Sequence, residues 1–134
     1  NVKKFYKAIV SKKPDTFTGI LENYLEKNKN KSYISTPENK KAKYSKLSYE
    51  LISSSERYHL LQIELFTGRF HQIRCQLANI GCPILGYLKY GYRRSSPDGS
   101  IFLHCFKLDF VHPGTQERVV FEIPCPEIWS KYGF

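Results

Sequence analysis

LFTGRFHQIRCQLANIGCPILGYLKYG, residues 65–91, is the stretch on which the reading of this chain turns. Its apolar start runs into Thr67-Gly68, where the glycine is expected to let the backbone turn sharply and Thr67 to cap a helix. Ile73, Leu77 and Ile80 then recur at four and three residues, Gly81 ends the pattern and Pro83 follows. The junction and first turns display Arg69, His71, Gln72 and Arg74 together, and a strand-to-helix junction is where anions and reacting groups are commonly held. With Ile73 at the centre of the buried stripe, Arg74 lies about 100° round the helix, at the stripe's edge. An arginine half-buried there wants a carboxylate or a phosphate.

Outward from this stretch, Leu47, Tyr49 and Leu51 alternate with polar residues, as do Leu61, Ile63 and Leu65. With Ser53–Arg57 between them they predict a β-hairpin with one buried face. Phe5–Val10 predicts a strand closed by a turn at Ser11–Pro14, and residues 19–27 allow a short helix through Ile20/Tyr24 and Leu21/Leu25. The Lys-, Asn- and Ser-rich residues 28–46 predict an exposed basic connection. Strands near 101–106 and 118–123 flank the turn residues His112–Thr115, and Ile128 and Trp129 mark a short amphipathic end. The composite is an α+β fold, a largely antiparallel mixed sheet with a few helices.

At 134 residues and 41% hydrophobic, the chain suits one core, so one domain or a piece of one. Because it begins at Asn1 and contains no methionine, a piece of a longer chain is expected. No apolar run approaches the roughly 20 residues of a membrane span and no leader pattern opens it. Cysteines 75, 82, 105 and 125 form no paired spacing, which fits reduced thiols in a cytoplasmic protein. A metal site from His71, Cys75, His104 and Cys105 lacks ligand spacing, so no metal is expected. Residues 1–46 hold 12 lysines against 4 acidic residues, whereas residues 47–134 hold 9 basic against 8 acidic. Such a surplus suits a polyanion partner, or equally a solvated lysine-rich loop.

Four ordered motifs carry a family resemblance. Lys4, Tyr6, Ala8 and Val10 fit K-x-Y-x-A-x-V. Thr67, Gly68, Arg69 and His71 through Arg74 fit T-G-R-x-H-Q-I-R without a gap. Gly81, Pro83, Ile84, Gly86, Tyr90 and Gly91 fit G-x-P-I-x-G-D-x-x-Y-G, with Tyr87 where the pattern has Asp. Leu103, His104, Leu108, Phe110, His112 and Pro113 fit L-H-x-x-x-L-x-F-x-H-P. The chain therefore resembles the RluA-type RNA pseudouridine synthases, specifically the C-terminal portion of their single catalytic domain. The family's catalytic aspartate sits in an R-L-D-x-x-T-S-G segment upstream of K-x-Y; Asp15, Asp98 and Asp109 have no such context.

The resemblance implies isomerisation of uridine to pseudouridine in structured RNA, rRNA or tRNA, with no metal or cofactor. Arg74 would pair with the aspartate, and Tyr6 would stack on the flipped-out uracil. Lys4, Arg69, His71, Gln72, Ile73 and Leu103 are the remaining candidates for the substrate or RNA side of the site, Ile73 and Leu103 as apolar walls. His71 reads first as a backbone-bonding residue that fixes the junction and only second as a phosphate contact, whereas Arg69 serves equally as half of a structural salt bridge; His104 and His112 read as structural. Without the aspartate segment, residues 1–134 alone are expected to be inactive, and an unpaired sheet edge invites self-association. The rival reading is a non-catalytic RNA-binding module on the same scaffold.

Overall fold

The computed structural model describes residues 2–86 and 101–134, so Tyr87, Tyr90, Gly91 and Asp98 lie outside the described residues. In chain order the elements are β1 (Val2–Val10), β2 (Thr18–Asn28), β3 (Lys31–Ser35), β4 (Lys43–Ser54), β5 (His59–Leu65), α1 (Gln72–Asn79), β6 (Leu103–Val111), β7 (Arg118–Glu122) and a 3-10 helix, Glu127–Tyr132. The strands form one sheet in the order β3-β2-β4-β5-β1-β6-β7, and every neighbouring pair is antiparallel. The α+β architecture is thus as the sequence indicates.

Register assigns the faces. Tyr6 stands opposite Ile63, which stands opposite Tyr49; Lys4, Leu65 and Leu47 form the next row on that face. Residues i and i+2 share a face, so Leu61, Ile63 and Leu65 of β5 point one way with Ala8 of β1 and Leu47 of β4. α1 covers this face over β2 and β3, burying Ile73, Cys75 and Leu77. At the other end of β1, Ala8, Ile9 and Val10 are all fully buried. There Phe102 packs edge-on against Tyr132, ring centroids 4.7 Å apart, and lies 5.8 Å from Trp129.

Residues 19–27 are not helical: they lie in β2, paired with β3 and β4. A spacing of four is even, so it satisfies a strand's period of two as well as a helical turn. Long-range pairing settles the matter, with Leu25 buried and Ile20 left on the open face. The 28–46 stretch is not simply a connection either. Lys29 adopts a left-handed φ of 60°, the chain reverses, and Lys31–Ser35 return as edge strand β3. Buried Ser32 donates its hydroxyl hydrogen to the Phe70 carbonyl, which anchors this polar segment where hydrophobic content alone predicts none.

The junction before α1 also differs from expectation. Thr67 is not the cap: the helix starts at Gln72 after His71, whose φ is 52°. That left-handed residue, rather than Gly68, makes the sharp turn, and a Cβ on Gly68 would meet nothing within 4 Å. Thr67 instead accepts a hydrogen bond from the Lys46 amide (2.9 Å) and donates one to Gln72 Oε1 (2.8 Å).

Candidate active site

Gln72 knots the junction to the sheet. Its Oε1 accepts from the Arg69 amide at 3.0 Å as well as from Thr67, and its Nε2 donates to the Lys46 carbonyl at 3.1 Å. That carbonyl also accepts from the Phe66 amide at 3.0 Å. Gln72 is only 2% exposed, so a side chain expected on the RNA side is spent on fixing where α1 begins. Buried polar groups with all these bonds are costly to disturb. The consequence is positional: the first turn of α1, which carries Arg74, is tied to β4 through one amide.

β1 supplies the other half of the site. Its ladder with β6 shifts register between Phe5 and Tyr6, so Phe5 faces Lys107 while Tyr6 faces Cys105 and Phe106 is the extra residue. Such a bulge re-aims side chains and is frequent beside active sites. Tyr6 points to the face that α1 covers, half-buried, with Ile63 on one side and Cys105 on the other. Its hydroxyl pKa is raised first by burial and then by the Cys105 thiol, while the positive charge of Arg74 acts in the opposite sense. Tyr6 and Arg74 therefore share one electrostatic environment, and the phenol is held protonated. It is suited to stacking and hydrogen bonding and unsuited to acting as a standing phenolate base.

Around this pair the expected residues separate into two groups. Lys4 lies two residues along β1 on the same face, exposed, opposite Leu65 and Leu108. Leu103 faces Ala8, two residues below Cys105. Ile73 is 4% exposed and belongs to the packed core beneath α1. Lys4 and Leu103 thus share the sheet face of Tyr6, and Ile73 precedes Arg74 on α1. Arg69 and His71 sit at the junction instead. Arg69 donates Nε–H to the Tyr44 carbonyl at 2.9 Å, and the His71 ring stacks on Phe70 at 3.9 Å. Cys105 was not among the residues expected at the site; only its place beside Leu103-His104 in the fourth motif hints at it.

Of the aspartates among the described residues, neither lies on the Tyr6 face of a strand. Asp109 stands opposite Lys3, on the face away from Tyr6, and it is paired with Arg118 at 2.7 Å. That guanidinium holds its carboxyl below the usual carboxylate range. Asp15 lies in the segment joining β1 to β2, outside any strand.

Comparison with known proteins gives a consistent picture. Residues 1–79 match the family described as RNA pseudouridylate synthase. An uncharacterized RNA pseudouridine synthase of Mycoplasma genitalium is 31% identical over 125 residues, 92% of this chain and 41% of its own length. One from Aquifex aeolicus is 36% identical over 101 residues, covering 68% of this chain and 32% of the relative. The chain thus spans well under half the length of these relatives. Among solved structures, human RNA pseudouridylate synthase domain containing 1 superposes with a TM-score of 0.76 at 21% identity, over 96% of this chain and 57% of that one. The human domain containing 4 protein gives 0.77 at 20% identity, with 96% and 60% covered. At those identities the two structures speak for the fold.

Proposed function

We propose, from the premise that the chain belongs to the RNA pseudouridylate synthase family, that the protein containing it isomerises uridine to pseudouridine in structured RNA, rRNA or tRNA. In that reaction the N1–C1′ bond of the nucleotide breaks, a C5–C1′ bond forms, the C5 proton leaves and N1 gains one. The observation that supports the reading is that the positive charge of Arg74 acts on the Tyr6 hydroxyl, each residue within its own family motif. Tyr6 offers a flat ring, fixed by a bulged strand, against which an extruded uracil stacks. Arg74 offers a charged fork for a carboxylate acting at the sugar. Leu103 lines the apolar side and Lys4 the phosphate side.

The R-L-D segment is not among residues 1–134, so in this reading the carboxylate comes from sequence outside them and these residues alone form no pseudouridine. The same absence is what favours the second reading, a non-catalytic RNA-binding module. Tritium release from C5-labelled uridine in bulk RNA, using the intact protein, separates them: turnover supports the synthase and its absence supports the module.

Tyr6→Phe divides the tyrosine's two roles. The ring stays, so KM for RNA should remain near that of the unaltered protein, whereas loss of the hydroxyl should lower kcat by about 10²-fold if it assists proton transfer. A kcat and KM both near those of the unaltered protein would limit Tyr6 to stacking. Self-association is expected through β7, the outer strand beside β6, where Val120 and Phe121 are 42% and 55% exposed. Light scattering on residues 1–134 should report a dimer, which Val120→Lys should convert to monomer; a monomer from the outset would remove the edge from consideration.

A further inference from the structure

Between the ends of β2 and β4 and the loop before α1 lies a concavity of about 300 Å³, whose lining includes Lys27, Lys41, Lys43, Gly68, Arg69 and Phe70. No carboxylate contributes to it, and among the described residues none of its four cations makes an ion pair. Like charges gathered round one hollow repel one another unless an anion sits among them. Two of the cations are also held in place. Arg69 is pinned through Nε to the Tyr44 carbonyl, and the Lys27 ammonium lies 4.4 Å from the Phe70 ring centroid. Ser32 in turn holds the Phe70 backbone. Open space where a Gly68 side chain would project keeps the hollow accessible.

Phe70 also says which part of a nucleotide fits. The His71 ring lies on it at 3.9 Å with planes 18° apart, and Lys27 occupies the remaining approach. With both sides taken, the ring is no platform for a base. The hollow suits a phosphate group.

The hollow opens on the same face as Tyr6 but well away from it. Tyr6 is in row with Ile63 and Tyr49, and Lys43 lies six residues farther along β4 than Tyr49. At about 3.4 Å per residue and 4.8 Å between strands, the separation is roughly 20 Å, too far for the phosphates of the nucleotide whose base meets Tyr6. We propose that this concavity is a binding site for the RNA backbone beyond the target uridine, gripping successive phosphates of the flanking strand. The proposal rests on the reading of the protein as an RNA pseudouridine synthase, and it assigns the basic surplus of residues 1–46 to a defined surface.

The test is a salt titration of RNA affinity with the intact protein, using a structured ribosomal or transfer RNA between 50 and 200 mM KCl. Lys41→Ala/Lys43→Ala should weaken binding about tenfold at 50 mM and reduce the slope of log K against log salt by about 2, close to 0.9 for each lost phosphate contact. Lys12→Ala/Lys131→Ala, which removes the same charge outside the hollow, should change the slope by less than half as much. An unaltered slope in the first variant, or equal slopes in both, overturns the site while leaving the enzymatic reading intact. Failure of the unaltered protein to bind RNA at all overturns both.

Discussion

Arg74→Ala in the intact protein is expected to lower pseudouridine formation by about 10³-fold, because a carboxylate that has lost its partner in a partly dry site costs about 3–5 kcal/mol. The loss should appear in kcat more than in KM, since the arginine holds the reacting group rather than the RNA. Arg74→Lys should recover only part of it: an ammonium keeps the charge and loses the two-pronged geometry. Single-turnover tritium release measures both variants. Activity within a few-fold of the unaltered protein in Arg74→Ala would remove the arginine from the chemistry.

Phe102→Ala is expected to destabilise the fold by about 3–5 kcal/mol. The side chain is fully buried, and its ring joins Trp129 and Tyr132 of the 3-10 helix to the sheet. Its backbone is equally committed, accepting from the Ile9 amide at 3.0 Å and donating to the Leu85 carbonyl at 3.2 Å. Urea unfolding followed by Trp129 fluorescence, the chain's one tryptophan, reads the change directly. A shift below about 1 kcal/mol would mean that the C-terminal segment contributes little to the core.

How far the sequence disclosed these arrangements depended on the range of the interactions involved. Leu47–Leu51 and Leu61–Leu65 read as paired strands because alternation is local and the turn between them is short. β2 misled because Leu21 and Leu25 fit two periods at once, and only partners across the sheet distinguish them. β3 was invisible for a different reason: Lys31–Ser35 owes its place to a hairpin and to one buried serine bonded to a loop 38 residues away. At the candidate site, the motifs single out Tyr6 and Arg74, and the Arg74 charge does reach the Tyr6 hydroxyl. The part played by Gln72 was not legible, since an amide that bridges a loop to a distant carbonyl looks in sequence like any polar residue on a helix. The bulge beside Tyr6 was likewise out of reach, because register is a property of two strands and only one was under view.

The position of β1 in the sheet sets an order of assembly. β2, β3, β4 and β5 pair with strands near them in sequence, so that half of the sheet closes short loops and can form early. β1 precedes these strands in the sequence but must find β5 on one side and β6 on the other, where Lys4 meets Leu65 and Leu108. Its ladders are therefore among the last to close. Tyr6 lies on that strand and Arg74 on the helix that follows β5, so the two are brought together only when β1 pairs with β5. In amide exchange under native conditions, β1 and β6 should open together and more readily than the β4–β5 hairpin.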